Sequence, residues 1–289
     1  KIDAKVQSIS KLKDYFFLVP DYQREYVWKP DDEVEQFLID IENEYSPDAK
    51  EQRNYFLGSI IIANNDRCFD VVDGQQRLTT IMLSLCVFRD LLKKETLNSA
   101  QKNYLQIIEN LLYNFDIESG ETRVRLELQY EESHDYLTAL IQEQPYNGVR
   151  SPSIVRMQDA YTKILRHFQL YAGIDELIDF AKYCLTKIEL VVIESQDLSS
   201  ALKIFETINQ RGAGLNAMDL VKNLLFKATK LLDSKFYIGV NTALNRFKND
   251  FQYNFTGWNK SSVEARQKIL LELVFDTWRI NDLRLDRVK

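Results

Sequence analysis

The sequence predicts an α+β fold that is predominantly helical, with a few short strands embedded among many helices. The 289 residues include only 9 Gly and 5 Pro, which argues against a loop-rich all-β protein. Apolar residues recur at three- and four-residue steps along most of the chain, which is the helical period. Only short runs rich in β-branched residues interrupt that period, and these runs predict the strands.

The first predicted elements are a short strand and the helix that follows it. The strand covers residues 15–19 and ends at Pro20, because proline fixes its own φ and cannot donate a hydrogen bond to a neighbouring strand. The helix is expected to begin with Asp31 or Asp32 as its N-cap. Its predicted core-facing stripe consists of Val34, Phe37, Leu38 and Ile41.

Two strands joined by a turn come next, and then the strongest helical pattern in the chain. Residues 55–65 (YFLGSIIIANN) and 68–72 (CFDVV) are separated by turn-forming residues, so they form either a hairpin or a pair of adjacent strands. The helix begins after Gly74. Its predicted buried positions are Leu78, Ile81, Met82, Leu85 and Phe88.

The second half of the chain continues the alternation of helices with occasional strands. Its first predicted elements are a helix at 98–113, a half-exposed strand at 122–130, a connecting loop at 143–153 and helices at 153–170 and 174–187. The next stretch, KIELVVIES, is nearly all apolar and predicts a strand in the middle of a sheet. A helix capped by Ser199 or Ser200 follows, and helical patterns restart at Asn216 and again near 235–252 and 261–280.

Composition predicts a soluble, cytoplasmic protein. Hydrophobic residues make up 45% of the chain and charged residues 28%, which is typical of globular domains. No apolar run is long enough to span a membrane, and the N-terminus KIDAKVQSIS has no apolar signal core. The net charge of −6 repels phosphate overall, so any contact with DNA requires a local basic patch.

Several kinds of catalytic site are excluded by the sequence. Cys68, Cys86 and Cys184 stand alone, which predicts reduced, buried thiols rather than a disulfide framework or a zinc site. His134 and His167 are the only histidines and lie in unrelated contexts, so they build neither a catalytic triad nor an HNH-type metal site. No GxxxxGK[ST] motif occurs, which excludes a P-loop.

The most informative polar cluster is DGQQR at residues 73–77. A strand that ends in a glycine turn and feeds a helix presents unpaired backbone amides and a partial positive charge to an anion. Gly74 permits close approach of a ligand, Gln75 and Gln76 offer amide donors, and the forked Arg77 donor suits phosphate oxygens. Asp73 is a candidate turn cap, Mg²⁺ ligand or water-orienting group. The alternative is a capped turn whose polar residues face solvent.

A second cluster, PDYQREYVW, places Arg24 among the aromatic residues Tyr22, Tyr26 and Trp28. Aromatic faces beside a guanidinium suit stacking on a nucleobase or gripping a phosphate. The alternative is that the aromatic residues belong to the core while Arg24 points outwards.

A third cluster lies in FETINQRGAGLNAMDLVKN. Asn209 and Arg211 stand where one helix ends and another begins, and Asp219 and Lys222 share a face of the second helix. A plain helical hairpin explains the two glycines of this segment but does not require these polar residues.

The four motifs PDYQREYVW, FLGSIII, VVDGQQRLTT and FETINQRGAGLNAMDLVKN together resemble the GmrSD-type restriction endonuclease N-terminal domain family. The resemblance covers about residues 8–230 and keeps the family's order of motifs. It implies a small mixed sheet of the ParB and sulfiredoxin type surrounded by helices, in a domain of residues 1–230, with a helical extension at 231–289. The sulfiredoxin catalytic cysteine has no counterpart in the DGQQR loop, so a sulfinic-acid reductase is not expected.

The resemblance also implies a role for each cluster. The residues expected to act on a nucleoside triphosphate are Asp73, Gln75, Gln76 and Arg77, with Asp73 as the candidate Mg²⁺ ligand. Those expected to bind the nucleotide are Gly74, Gln23, Arg24, Asn209, Arg211 and Lys222. Those expected to meet modified DNA are Arg24, Tyr26 and Trp28.

The implied function is an NTP-binding and NTP-hydrolysing sensor of a modification-dependent, anti-phage restriction system. The expected partners are a nucleoside triphosphate with Mg²⁺, modified DNA and an HNH-type nuclease domain or subunit, and assembly into an oligomer is left open. No HNH-like motif occurs here, so the chain is expected either to be a fragment of a longer protein or to act with a separate nuclease. The alternatives are a modified-DNA-binding module that hydrolyses nothing and a scaffold that docks a nuclease through Trp258 and Trp278.

Overall fold

The computed structural model describes residues 2–21, 23–66, 68–117, 119–129 and 134–209. The predicted α+β class is confirmed, with helices flanking a mixed sheet of six strands. The strands are β1 (Ile2–Ser8), β2 (Phe17–Val19), β3 (Tyr55–Asn65), β4 (Cys68–Asp73), β5 (Tyr113–Asp116), β6 (Glu121–Val124), β7 (Leu126–Leu128) and β8 (Ile188–Ser195). The helices are α1 (Glu35–Glu44), α2 (Gln75–Leu92), α3 (Ser99–Leu112), α4 (His134–Ile141), α5 (Pro152–Phe168), α6 (Ile174–Lys187) and α7 (Leu198–Asn209), with short helical turns at Ile9–Asp14 and Pro30–Val34.

The six-stranded sheet has the order β1-β8-β3-β4-β2-β7. The β1–β8 and β3–β4 pairs are antiparallel, whereas β8–β3, β4–β2 and β2–β7 are parallel. The hairpin alternative for the second and third predicted strands is therefore correct. The apolar strand β8 has a neighbour on each side, as its composition predicts.

Helix α2 runs through the centre of the core and is buried on nearly every side. The predicted stripes of α1 and α2 are confirmed, because all of their named apolar positions are buried. The polar residues Thr79, Thr80 and Ser84 are also buried, and each hydroxyl donates to the carbonyl four residues earlier. These local bonds satisfy the hydroxyls, so α2 keeps polar groups inside the core without leaving them unpaired.

Two predicted helix caps are wrong. The turn before α1 begins at Pro30, and neither Asp31 nor Asp32 caps it; Glu33 instead accepts a hydrogen bond from the Lys29 N–H at 2.8 Å. At α7 the Asp197 carboxylate accepts a hydrogen bond from the Ser200 N–H at 2.8 Å. Asp197 therefore caps this helix, and not Ser199 or Ser200 as the sequence predicts. In both cases a carboxylate close to the helix start takes the role, as the charge of a helix N-terminus favours.

The predicted strand at 122–130 is two strands in two different sheets. β6 pairs with β5, and β7 pairs with β2 at the edge of the main sheet. Arg125 lies between them with its side chain buried, and its Nε donates to the Asn110 carbonyl at 3.0 Å. The alternating pattern correctly predicts burial of Val124, Leu126 and Leu128, but not the change of partner strand.

Residues 1–207 form one compact unit. The predicted boundary at residue 230 and the helical patterns beyond residue 216 lie outside the described residues. Among the described helices, none combines the length and the apolar character that crossing a bilayer requires.

Candidate functional site

The site is built on the junction where β4 passes through Gly74 into α2. Gly74 has φ +92°, and a Cβ at this position would lie 2.6 Å from Cγ2 of Ile60 on β3. Both facts require glycine, because other residues rarely adopt this φ and no side chain fits against Ile60. The first turn of α2 contains no acidic residue, and its leading amides have no acceptor within the helix.

Two β-bulges lie beside this junction. The β3–β4 register shifts between Ile61 and Ile62, which leaves Val72 as the extra residue just before Asp73. The β3–β8 register shifts between Phe56 and Gly58. Bulges change the direction of the side chains that follow them and are common next to functional sites.

Gln23 satisfies the backbone of the bulge in β4. Its Nε2 donates to the carbonyl of Val72 at 3.0 Å and to that of Val71 at 3.2 Å, and the side chain is buried. The amide therefore holds the segment after β2 against the end of β4. Gln23 is therefore a buried residue that stabilises the end of β4 through its backbone carbonyls.

Gln76 makes the matching contact from the helix side. Its Oε1 accepts the Val27 N–H at 2.9 Å, and its Nε2 donates to the Glu25 carbonyl at 2.8 Å. Both ends of the amide are thus bound to the backbone of the PDYQREYVW segment. The two motifs that the sequence places 50 residues apart form one hydrogen-bonded unit.

Tyr26 and Trp28, the two described aromatic residues of the second cluster, pack in or against the core, which is the alternative named for them. Tyr26 is 1% exposed, and its hydroxyl lies 2.9 Å from Oγ1 of Thr80 on α2. Burial raises the pKa of Tyr26, so its hydroxyl stays protonated. Trp28 is half-buried and packs against the core beside Phe37. Arg24 lies between these anchored residues and is exposed.

Arg77 is turned towards β3. Its Nη1 donates to the Ser59 carbonyl at 2.7 Å, and its guanidinium lies against Gly58. Burial lowers the pKa of Arg77, while the charges of Asp73 and Tyr55 raise it. One donor of the fork is therefore used by the protein, and the charge of the guanidinium acts on Asp73.

Asp73 is the acidic group of the site. Burial raises the pKa of Asp73, and this is opposed by the charge of Arg77, by the Gly74 N–H and by the charge of Arg24. The charges of both guanidinium groups thus favour the ionised form of this carboxylate at the start of α2. Its elevated pKa suits a group that accepts a proton.

Gln75 is the amide of the motif whose side chain is not used by the protein. The residue is 9% exposed, and within the described part of the chain its side-chain amide makes no hydrogen bond. Its amide atoms are not among the fully buried polar atoms that lack a partner, so solvent reaches them. The Gln75 amide is therefore accessible to a ligand at the start of α2.

The described residues contain no group of three His, Cys, Asp or Glu side chains suited to a metal. Asp73 is a single carboxylate. Mg²⁺ is commonly held by one or two carboxylates together with substrate phosphates and water, so the site fits Mg²⁺ only as an ion shared with a phosphate ligand.

Sequence reasoning missed Gly58, Ser59, Ile60 and Tyr55, all on β3, as parts of this site. The signal was present, because a glycine inside the β-branched run FLGSIII indicates a bulge or a close approach of other atoms. The third cluster stays a prediction. The Asn209 side chain, Arg211, Asp219 and Lys222 lie outside the described residues, as do Tyr22, Trp258 and Trp278.

Comparison with known proteins supports the family that the motifs resemble. The family model described as the GmrSD restriction endonuclease, N-terminal domain, matches residues 6–226. That range includes both halves of the hydrogen-bonded junction and the β3 residues against it. No curated protein matches the chain.

Proposed function

The chain belongs to the GmrSD restriction endonuclease N-terminal domain family, and on that premise we propose that it is the nucleotide-dependent sensor of a DNA restriction system. In this proposal the Gly74 junction binds and hydrolyses a nucleoside triphosphate, and the bound state licenses a linked or partner nuclease. The observation that carries the proposal is the start of α2, where the amide of Gln75 is solvent-accessible and makes no hydrogen bond to the described residues, beside the carboxylate of Asp73.

The proposal assigns phosphate binding to the start of α2. The free backbone amides and the partial positive charge of the helix favour an anion there. The Gln75 amide adds a donor, and the exposed Arg24 adds a positive charge near it. Gly74 lets the phosphate approach the backbone, because no side chain stands in the way.

Asp73 is assigned to the hydrolytic step. It would orient the attacking water and accept its proton as the bond to the terminal phosphorus forms and the nucleoside diphosphate leaves. Arg77 would act as a positioning residue, because its guanidinium is anchored on β3 and its charge stabilises the Asp73 carboxylate. Bound Mg²⁺ would supply charge neutralisation on the phosphates.

Gln23 and Gln76 support the site without contacting the ligand. Their amides are bound to backbone groups of β4 and of residues 25–27. They hold Arg24 next to the start of α2. In this proposal Gln76 builds the site and does not act on the nucleotide.

Phosphate release tests this proposal. The parent, Asp73→Asn and Gln75→Leu are incubated with Mg²⁺ and each of ATP, GTP, CTP and UTP, with Gln36→Ala as the control. Gln36 is exposed on α1, and its side chain donates a hydrogen bond to Asp40 on the same helix. We expect Asp73→Asn to lower turnover by about 100-fold, as loss of a general base does. Gln75→Leu is expected to raise KM. Equal turnover by all four proteins would contradict the proposal.

A second candidate function is binding of modified DNA without hydrolysis. It is favoured by the exposed Arg24, which lies between Gln23 and Tyr26, whose side chains are hydrogen-bonded to β4 and α2. In that case nucleotide acts only as an effector. Fluorescence anisotropy with modified and plain duplexes distinguishes the two functions when combined with the phosphate assay, because this candidate predicts DNA binding and no turnover of any NTP.

A further inference from the structure

The first strand, β1, lies at one edge of the described sheet. Among the described strands β1 pairs only with β8, and its residues from Ile2 to Lys5 are exposed, as is Val6. The opposite edge of the sheet is β7, which is only three residues long. An edge strand of seven residues offers a row of backbone donors and acceptors to another strand.

The two faces of β1 carry different side chains. Ile2 and Val6 are 58% and 62% exposed and share one face with Ala4. Asp3 and Lys5 lie on the other face and form an ion pair of 2.7 Å, with side chains 50% and 53% exposed. An exposed apolar face on an edge strand favours association with another strand. The charges on the other face determine which strand can pair with it.

The charge pattern of β1 is complementary to itself. In an antiparallel ladder between two copies, residues of the same parity lie opposite each other. If the two strands are centred on Ala4, Asp3 lies opposite the partner's Lys5, and Lys5 lies opposite the partner's Asp3. Ile2 then packs beside the partner's Val6 on the apolar face.

The neighbouring registers are disfavoured. A shift of two residues one way places Asp3 opposite the partner's Asp3, and a shift the other way places Lys5 opposite the partner's Lys5. Like charges directly opposite each other destabilise a strand pair. The pattern therefore selects one register out of three.

We propose that a second copy of this chain docks antiparallel along β1, in the register that pairs Asp3 with the partner's Lys5. The contact is isologous, so it uses the same edge on both copies and closes at a dimer. The two sheets become continuous across the two-fold axis. This surface does not involve the Gly74 junction, so the dimer and the proposed nucleotide site can fail separately.

Charge exchange at β1 tests the proposal. Sedimentation velocity of the 289-residue chain at about 1–100 µM measures self-association of the parent, Asp3→Lys, Lys5→Asp and the double variant carrying both changes. Each single variant places like charges opposite each other twice in the dimer. The double variant restores both opposite-charge pairs, and so does an equimolar mixture of the two single variants.

We expect a parent dimer, single variants that associate at least about tenfold more weakly, and recovery in both the double variant and the mixture. Circular dichroism and melting temperature check that all variants fold, which the exposure of both side chains favours. A parent that stays monomeric over the whole concentration range would overturn the proposal. The charges of β1 would then serve to prevent pairing at the edge. Equal association of the parent and both single variants would also overturn it.

Discussion

The Arg77 guanidinium lies against Gly58 with no room for a side chain between them. A Cβ at Gly58 would stand 2.9 Å from Cζ of Arg77, and the same guanidinium bonds the Ser59 carbonyl. Gly58 also has φ +131°, which other residues rarely adopt. Gly58, at the bulge in β3, therefore leaves the space that the Arg77 guanidinium occupies.

Gly58→Ala is expected to displace Arg77 and to lower the free energy of unfolding by about 2 kcal/mol or more, through backbone strain and the close contact. Urea denaturation measures the loss. In an Arg77→Ala background the contact is absent, so the same substitution should cost about 1 kcal/mol less. Strictly additive costs would show that the two residues do not constrain each other.

Gln76→Leu is expected to lower the free energy of unfolding by about 1–3 kcal/mol, because it leaves the Val27 N–H and the Glu25 carbonyl without their partner. Gln36→Ala, which removes an exposed glutamine, is expected to change it by less than about 0.5 kcal/mol. Limited proteolysis should also show faster cleavage around residues 24–29 in Gln76→Leu. Two variants of equal stability would mean that Gln76 does not hold that segment.

Asp73→Asn is expected to stabilise the fold at neutral pH. Burial raises the pKa of Asp73 above its ordinary value of 3.8, so the native state binds the proton more tightly than the unfolded chain does. At pH values above the raised pKa, the ionised carboxylate therefore lowers the free energy of unfolding. This destabilisation disappears as the pH falls towards 3.8. Melting temperatures of both proteins between about pH 4 and pH 8 should differ most at the high end. A difference in melting temperature that grows as the pH falls would contradict a raised pKa for Asp73.

Tyr26→Phe and Arg24→Gln separate support of the site from contact with DNA. Removal of the Tyr26 hydroxyl is expected to cost about 0.5–1.5 kcal/mol of stability, since Thr80 loses one of its two partners. It should leave binding of a modified duplex unchanged, because the ring is buried.

Arg24→Gln is expected to do the reverse. It should weaken binding and lower the slope of log K against log salt by about one, as loss of a phosphate contact does. Anisotropy titrations at several salt concentrations measure both quantities. If Tyr26→Phe weakened DNA binding as much as Arg24→Gln, the buried tyrosine would have to reach the duplex.

The parts of the fold that follow from local pattern were predictable. The buried faces of α1 and α2 follow from three- and four-residue spacing, and the strand–glycine–helix junction follows from VVDGQQR. The split at Arg125 was not predictable, because it depends on which strand each half pairs with. Strand β1 was missed as well, because its apolar residues are exposed and its charges give no core pattern.

The sequence predicted that residues of two motifs lie together, but it predicted neither the β3 residues beside them nor the direction of the side chains. The polar residues of two motifs do meet, as the resemblance implies. Gln23 and Gln76 nevertheless bind backbone groups, and Arg77 turns towards β3. The sequence does not show whether a glutamine contacts a ligand or donates hydrogen bonds to the backbone carbonyls of a bulged strand. Only the tertiary structure distinguishes these roles.

The central claim is that a triphosphate binds where Gly74 leads into α2, and backbone amide NMR tests it most directly. The ¹⁵N-labelled chain is titrated with the Mg²⁺ complex of each of the four nucleoside triphosphates. We predict saturable shifts at the amides of residues 74–77 with at least one of them, and weaker saturation in Gln75→Leu. If none of the four nucleotides moves these amides, the Gly74 junction is not a nucleotide site.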